Sequence, residues 1–168
     1  GVLPVDMQTR VAGSSTLMGN PIDVAYDSET GAIYIAEVGN GKVLGFTDIG
    51  DGGDLTPSFN MDLPTASSIY FSSEETDGNT GMASMNQTTR LYTTSTLNGD
   101  VTVYDGTGSM LKTVTTASSS TEGIYYNALN DALLQGSRSE GEIQYYSDFM
   151  SIMSGASATS AFTGDLAT

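Results

Sequence analysis

Cysteine, histidine and tryptophan are absent from the 168 residues, and five lysines and arginines stand against twenty aspartates and glutamates. Each absence removes a class of chemistry. Without Cys there is no disulfide framework and no thiolate nucleophile. Without His there is no Ser-His-Asp triad, haem ligand or Cys/His zinc site. A net charge of −15 leaves no cationic surface to track phosphates, so nucleic acid is not an expected partner, and an anionic membrane repels the chain. No run of apolar residues is long enough to predict a membrane span.

What is present points to strands. Hydrophobic residues make up 38% of the chain, below the usual range of about 45–50%, yet nine Tyr and five Phe require a core. Gly, Ser and Thr contribute 20, 21 and 22 residues, a composition that favours short strands joined by tight turns. The length suits one domain, 1–168.

One hairpin recurs. Residues 31–46 contain Ile33, Val43 and Phe46 around a turn closed by Gly41; a shift of 58 gives Leu91, Val101, Tyr104 and Gly99, and a shift of 100 gives Leu133, Ile143, Tyr146 and Gly141. A glycine at that place fits a backbone position with φ > 0. An apolar strand precedes each hairpin, around Val24, Ile69 and Ile124. The second unit is 13 residues longer than the others between these points, an insertion within residues 73–88. A weaker fourth strand is expected at Thr56–Asp62, Met110–Thr115 and Phe149–Met153, and the tail Ala156–Thr168 is expected to begin another inner strand.

Four antiparallel strands repeated at this spacing predict an all-β chain of β-propeller type with three blades, about 20–62, 65–116 and 120–155. Three blades are half of a common ring. Either another copy of the chain or the remainder of a longer chain is expected to close it, because an open ring exposes apolar blade faces.

The stretch from Asn20 and Pro21 through Ile22-Asp23-Val24, Gly31, Ile33-Tyr34-Ile35-Ala36-Glu37, Asn40 and Val43 to Phe46 resembles an NHL-type propeller repeat. Glu37 stands where that pattern has Asp, and Asn40-Gly41-Lys42-Val43 replaces its Asn-x-Arg-Val. The resemblance implies a propeller; its members serve as binding scaffolds or as enzymes. Gluconolactonase-like hydrolases, which resemble the repeat more distantly, hold a metal with Glu, Asn and Asp near the axis. In this chain the resemblance implies Glu122 or Asp23, with Asn20, as the matching residues.

The residues themselves supply a second candidate. Asp48, Asp51 and Asp54 recur at a spacing of three with glycines between them, a loop that suits Ca²⁺ through oxygen ligands; the same residue types are also ordinary turn formers. No catalytic residue is assigned. The function expected is a non-catalytic scaffold for a protein or glycan ligand, possible calcium included, with a metal-dependent lactonase-like hydrolase as the alternative. The absence of Cys, the abundance of Ser and Thr and a sequon at Asn86 lead us to expect an extracellular or periplasmic location.

Overall fold

The computed structural model describes residues 8–73, 89–116, 118–153 and 157–162. The 73–88 insertion, with its Asn86 sequon, therefore lies almost wholly outside the described residues. Three four-stranded antiparallel sheets follow one another along the chain. Blade 1 is β1 (Pro21–Tyr26), β2 (Ile33–Glu37), β3 (Lys42–Phe46) and β4 (Phe59–Asp62). Blade 2 is β5 (Ala66–Ser72), β6 (Arg90–Ser95), β7 (Val101–Asp105) and β8 (Met110–Val114). Blade 3 is β9 (Thr121–Asn127), β10 (Ala132–Ser137), β11 (Glu142–Tyr146) and β12 (Ser160–Phe162). This is the all-β, three-bladed incomplete propeller that the repeats predict.

The registers repeat with the sequence. Ile33 pairs with Phe46, Leu91 with Tyr104 and Leu133 with Tyr146. Likewise Val24 pairs with Ile35, Ile69 with Thr93 and Ile124 with Gln135. Gly41, Gly99 and Gly141 close the three turns with φ of 65°, 69° and 65°, a region where a Cβ is strained.

The fourth strand of blade 3 departs from expectation. Phe149–Ser151 forms a 3-10 turn instead of a strand, because Asp131 draws it in: the Asp131 carbonyl accepts from the Phe149 N–H at 2.8 Å and its carboxylate from the Met150 N–H at 3.0 Å. Phe149 is then fully buried against Tyr92 and Tyr126. The strand is supplied by Ser160–Phe162, so this described part of the tail is an outer strand of blade 3 and not an inner one.

Two apolar layers hold the blades together. Between blades 1 and 2 lie Ala25, Val43, Ile69, Leu91 and Tyr104; between blades 2 and 3 lie Tyr92, Val101, Val103, Tyr126, Leu133 and Tyr146. Tyr92 and Tyr126 stack with centroids 4.4 Å apart, a geometry worth about 0.5–1.5 kcal/mol beyond the burial itself. On the other side of blade 1, Ile35, Leu44 and Phe46 are covered by Val11, Leu17, Met18, Ile49 and Leu55. This cover is pinned where Val11 bridges Gly53 and Asp54 accepts from the Ser15 N–H at 2.7 Å. Beside it the inner-strand row Ile22, Val24 and Tyr26 stays exposed, as do Ile143 and Phe162 on the free side of blade 3, whereas the half-exposed Tyr125 ring meets Tyr70 of blade 2 edge-on at 5.1 Å.

Candidate functional site

The loops entering the inner strands share one end of the blades with the hairpin turns. The Asn20 carbonyl accepts from the Val38 N–H, the Thr65 carbonyl from Thr96 and the Ser120 carbonyl from Arg138. In blade 1 this end is organised by Glu37, which is fully buried. Its Oε1 accepts from the N–H groups of Gly19 (3.0 Å), Asn20 and Gly39 (3.0 Å), and Oε2 from Asn40 at 2.6 Å. Burial raises the carboxyl pKa, but the four backbone donors together outweigh it and hold the pKa below the usual range. In blade 3 the equivalent residue is Ser137. There the hydroxyls of Ser118, Ser137 and Ser139 converge on Glu140, whose pKa is lowered first by the Ser139 hydroxyl.

The residues singled out in the sequence are dispersed among different partners. Asp23 Oδ2 crosses to blade 2, where it accepts from the Ser68 hydroxyl at 2.5 Å and the Ile69 N–H at 2.9 Å. Asn20 is exposed, and its N–H is spent on Glu37. Glu122 is exposed and pairs with Arg138 at 2.9 Å. Asp48 accepts from the Gly50 N–H at 3.2 Å, Asp51 is exposed, and Asp54 bonds Ser15. Among the described residues no three Asp or Glu side chains gather as a set able to hold a metal ion. The sequence reasoning gave Glu37 no role at this end; its signal was its place in the repeat resemblance, where an acid follows Ala36.

A cleft lies at the opposite end of the blades, between blades 1 and 2. It has a volume of about 180 Å³. Its apolar wall is Tyr34, Phe59, Phe71 and Leu91, and its rim carries Thr47, Ser58, Thr89, Asp105 and Thr107. Tyr34 stacks on Phe71 with centroids 5.3 Å apart and meets Phe59 edge-on at 6.4 Å. Burial, followed by the charge of Asp27, raises the Tyr34 pKa, so its phenol is neutral at physiological pH.

The rim is shaped by the turn after β7. Asp105 Oδ1 accepts from the Thr107 hydroxyl (2.7 Å) and from the N–H groups of Thr107 and Ser109 (both 2.9 Å). These bonds, the Thr107 hydroxyl foremost, lower the Asp105 pKa, and none of them uses Oδ2. Gly108 follows at φ 84°, and a Cβ there would come within 1.9 Å of the Phe59 ring. Only glycine lets this turn press on blade 1 and close the cleft wall.

Chemically the cleft offers aromatic surface, hydroxyl groups and one carboxylate. Among the described residues that line it, none is a nucleophile activated by a base and none is Lys or Arg.

No family model matches the chain, and no curated protein does. Solved structures do. The chain is similar to Kuenenia stuttgartiensis hydrazine synthase at 12% identity and a TM-score of 0.57, over 84% of this chain and 36% of that one. It is similar to virginiamycin B lyase from Staphylococcus aureus at 13% identity and a TM-score of 0.52, over 77% and 38%. The C-terminal WD40 domain of Sif2 gives 14% identity and a TM-score of 0.54, over 86% and 34%. The chain thus spans little more than a third of the length of each. At such identities the likeness concerns the fold alone, and the fold is propeller-like.

Proposed function

We propose that the chain is a non-catalytic propeller scaffold that binds a protein or glycan ligand. The observation that supports this best is the cleft between blades 1 and 2, where aromatic rings, hydroxyls and the Asp105 carboxylate converge without a nucleophile and base. Concave sites lined by apolar surface with a few fixed polar groups are how proteins commonly hold small ligands. The NHL-type resemblance of blade 1 fits a scaffold role, and the absence of Cys with abundant Ser and Thr fits an extracellular or periplasmic setting. Another copy, or the remainder of a longer chain, is the partner proposed to complete the ring.

The lactonase-like alternative has less support, since it needs several oxygen ligands around one metal, and the Asp23 and Glu122 carboxylates have other partners. Calcium remains part of the proposal at Asp48, Asp51 and Asp54, where a cation would offset the repulsion of three acids. Binding screens against glycans and proteins test the scaffold reading, with wild type compared against Phe71→Ala. A ligand lost on that substitution supports it. Turnover of a lactone that depends on added metal would refute it. A melting temperature that rises with CaCl₂ and returns with EDTA supports the calcium site; an unchanged one refutes it.

A further inference from the structure

We infer that the cleft between blades 1 and 2 takes a single neutral sugar ring. This rests on the scaffold reading and narrows its ligand. The size sets the first limit: about 180 Å³ is below the roughly 300–1,000 Å³ of sites for drug-sized ligands, so one ring enters and a chain must continue into solvent. The chemistry of the walls sets the second. A pyranose has an apolar C–H face and an equatorial belt of hydroxyls. Here the Tyr34, Phe59 and Phe71 rings supply apolar surface, Thr47 and Thr89 line the cleft with hydroxyls, and the Ser58 and Thr107 hydroxyls, which donate to the Gly45 carbonyl and to Asp105, are left to accept.

Asp105 decides the charge of the ligand. Its Oδ1 is committed to the turn by three hydrogen bonds, which leave Oδ2 to accept from ligand hydroxyls. Hydrogen bonds to a charged acceptor are about twice as strong as neutral ones. The same carboxylate repels an acidic sugar. No described lining residue is cationic; Arg90, the cross-strand partner of Asp105, turns its guanidinium toward Tyr92, and the whole chain carries −15, so the repulsion prevails at the cleft. Neutral hexoses and pentoses fit; uronic and sialic acids do not.

The test uses the whole chain and a panel of methyl glycosides of glucose, galactose, mannose, xylose and N-acetylglucosamine. Methyl glucuronide is the charged counterpart, and p-cresol stands in for a protein side chain. Binding is read from tyrosine emission, free of tryptophan in this sequence, and from NMR shifts of the Tyr34, Phe59 and Phe71 rings. At least one neutral glycoside is expected to saturate with shifts at those rings, and glucuronide to bind at least tenfold more weakly than the glucoside at low salt. Asp105→Asn retains an Oδ1 acceptor for the turn, so it is expected to fold, to weaken neutral binding at least fivefold and to shrink the glucuronide penalty. Thr89→Val is the second variant, with loss of one rim hydroxyl and a smaller loss of affinity. Should p-cresol bind and no glycoside do so, the sugar inference is overturned while the scaffold reading survives with a protein partner. Should nothing bind, both fall. Glucuronide binding as tightly as glucoside overturns the charge argument.

Discussion

Glu37→Gln isolates the polar knot of blade 1. The amide keeps one oxygen, which can still accept from Gly19, Asn20 and Gly39, but an NH₂ group now faces the Asn40 N–H that sat 2.6 Å from Oε2. A hydrogen bond to a charged group contributes about 1.5–3 kcal/mol against about 1 kcal/mol for a neutral one. Three weakened bonds and one lost bond give a destabilisation of about 3 kcal/mol, allowing for water at the exposed Asn40. For a chain of this size that is a fall in Tm of ~6–12 °C. The pH dependence makes the test sharper. The folded pKa of Glu37 lies below its ordinary value of 4.5, so its contribution is fully present above pH 4.5 and is lost as pH falls through the lower folded value. The gap between wild type and variant should therefore be widest near neutrality and close in acid. Thermal melts by circular dichroism from pH 7 to pH 2.5 read both effects. Equal melting temperatures at pH 7, or a gap that persists unchanged into acid, would refute the account of Glu37 as a charged acceptor.

Other perturbations probe the joints. Asp23→Ala strips the Ile69 N–H and the Ser68 hydroxyl of their acceptor, with an expected cost of about 1–3 kcal/mol in urea unfolding; no change would mean that the clip between blades 1 and 2 is ornamental. Lys112 donates to the carbonyls of Phe149, Met150 and Ile152 at 3.1, 3.1 and 2.8 Å and lies 5.3 Å from the Phe149 ring centroid. Lys112→Met should raise amide exchange across 149–152 at least tenfold while leaving blade 1 unaffected. In an alkaline titration of tyrosine absorbance, Tyr34, Tyr92, Tyr104 and Tyr126 should ionise late, the last at about 12, all raised first by burial. Because their folded pKa values are raised, stability should fall as pH climbs above 10; simple titration of all nine tyrosines near 10 would contradict the packing.

The hairpins were legible because their cause is local. A glycine in the left-handed region, apolar residues at fixed distances from it and an aromatic at the far end of β3, β7 and β11 leave the same trace three times. The last strand was not legible for the opposite reason. Ser160–Phe162 has little strand propensity and pairs only because Tyr145 and Ile143 offer a free edge. The more apolar Phe149–Met153 was diverted by Asp131, a contact across 18 residues that no window of sequence displays. The cleft was hidden similarly: Tyr34, Phe59, Phe71 and Asp105 come from four strands of two blades. Of the acids expected to gather around an ion, Asp23, Asp48, Asp54 and Glu122 have different partners, since a short polar residue in a loop or at a strand entrance serves backbone donors as readily as a cation.

The cover over Ile35, Leu44 and Phe46 makes the two flanks of this half-ring unequal. A blade arriving beside β1 would find the narrow strip of Ile22, Val24 and Tyr26 near the axis, whereas one arriving beside blade 3 would meet Ile143 and Phe162 on its outer strands. Any closed ring built with this chain would then be thinnest wherever a neighbour meets β1, once per copy, and strain or heat would first part it there.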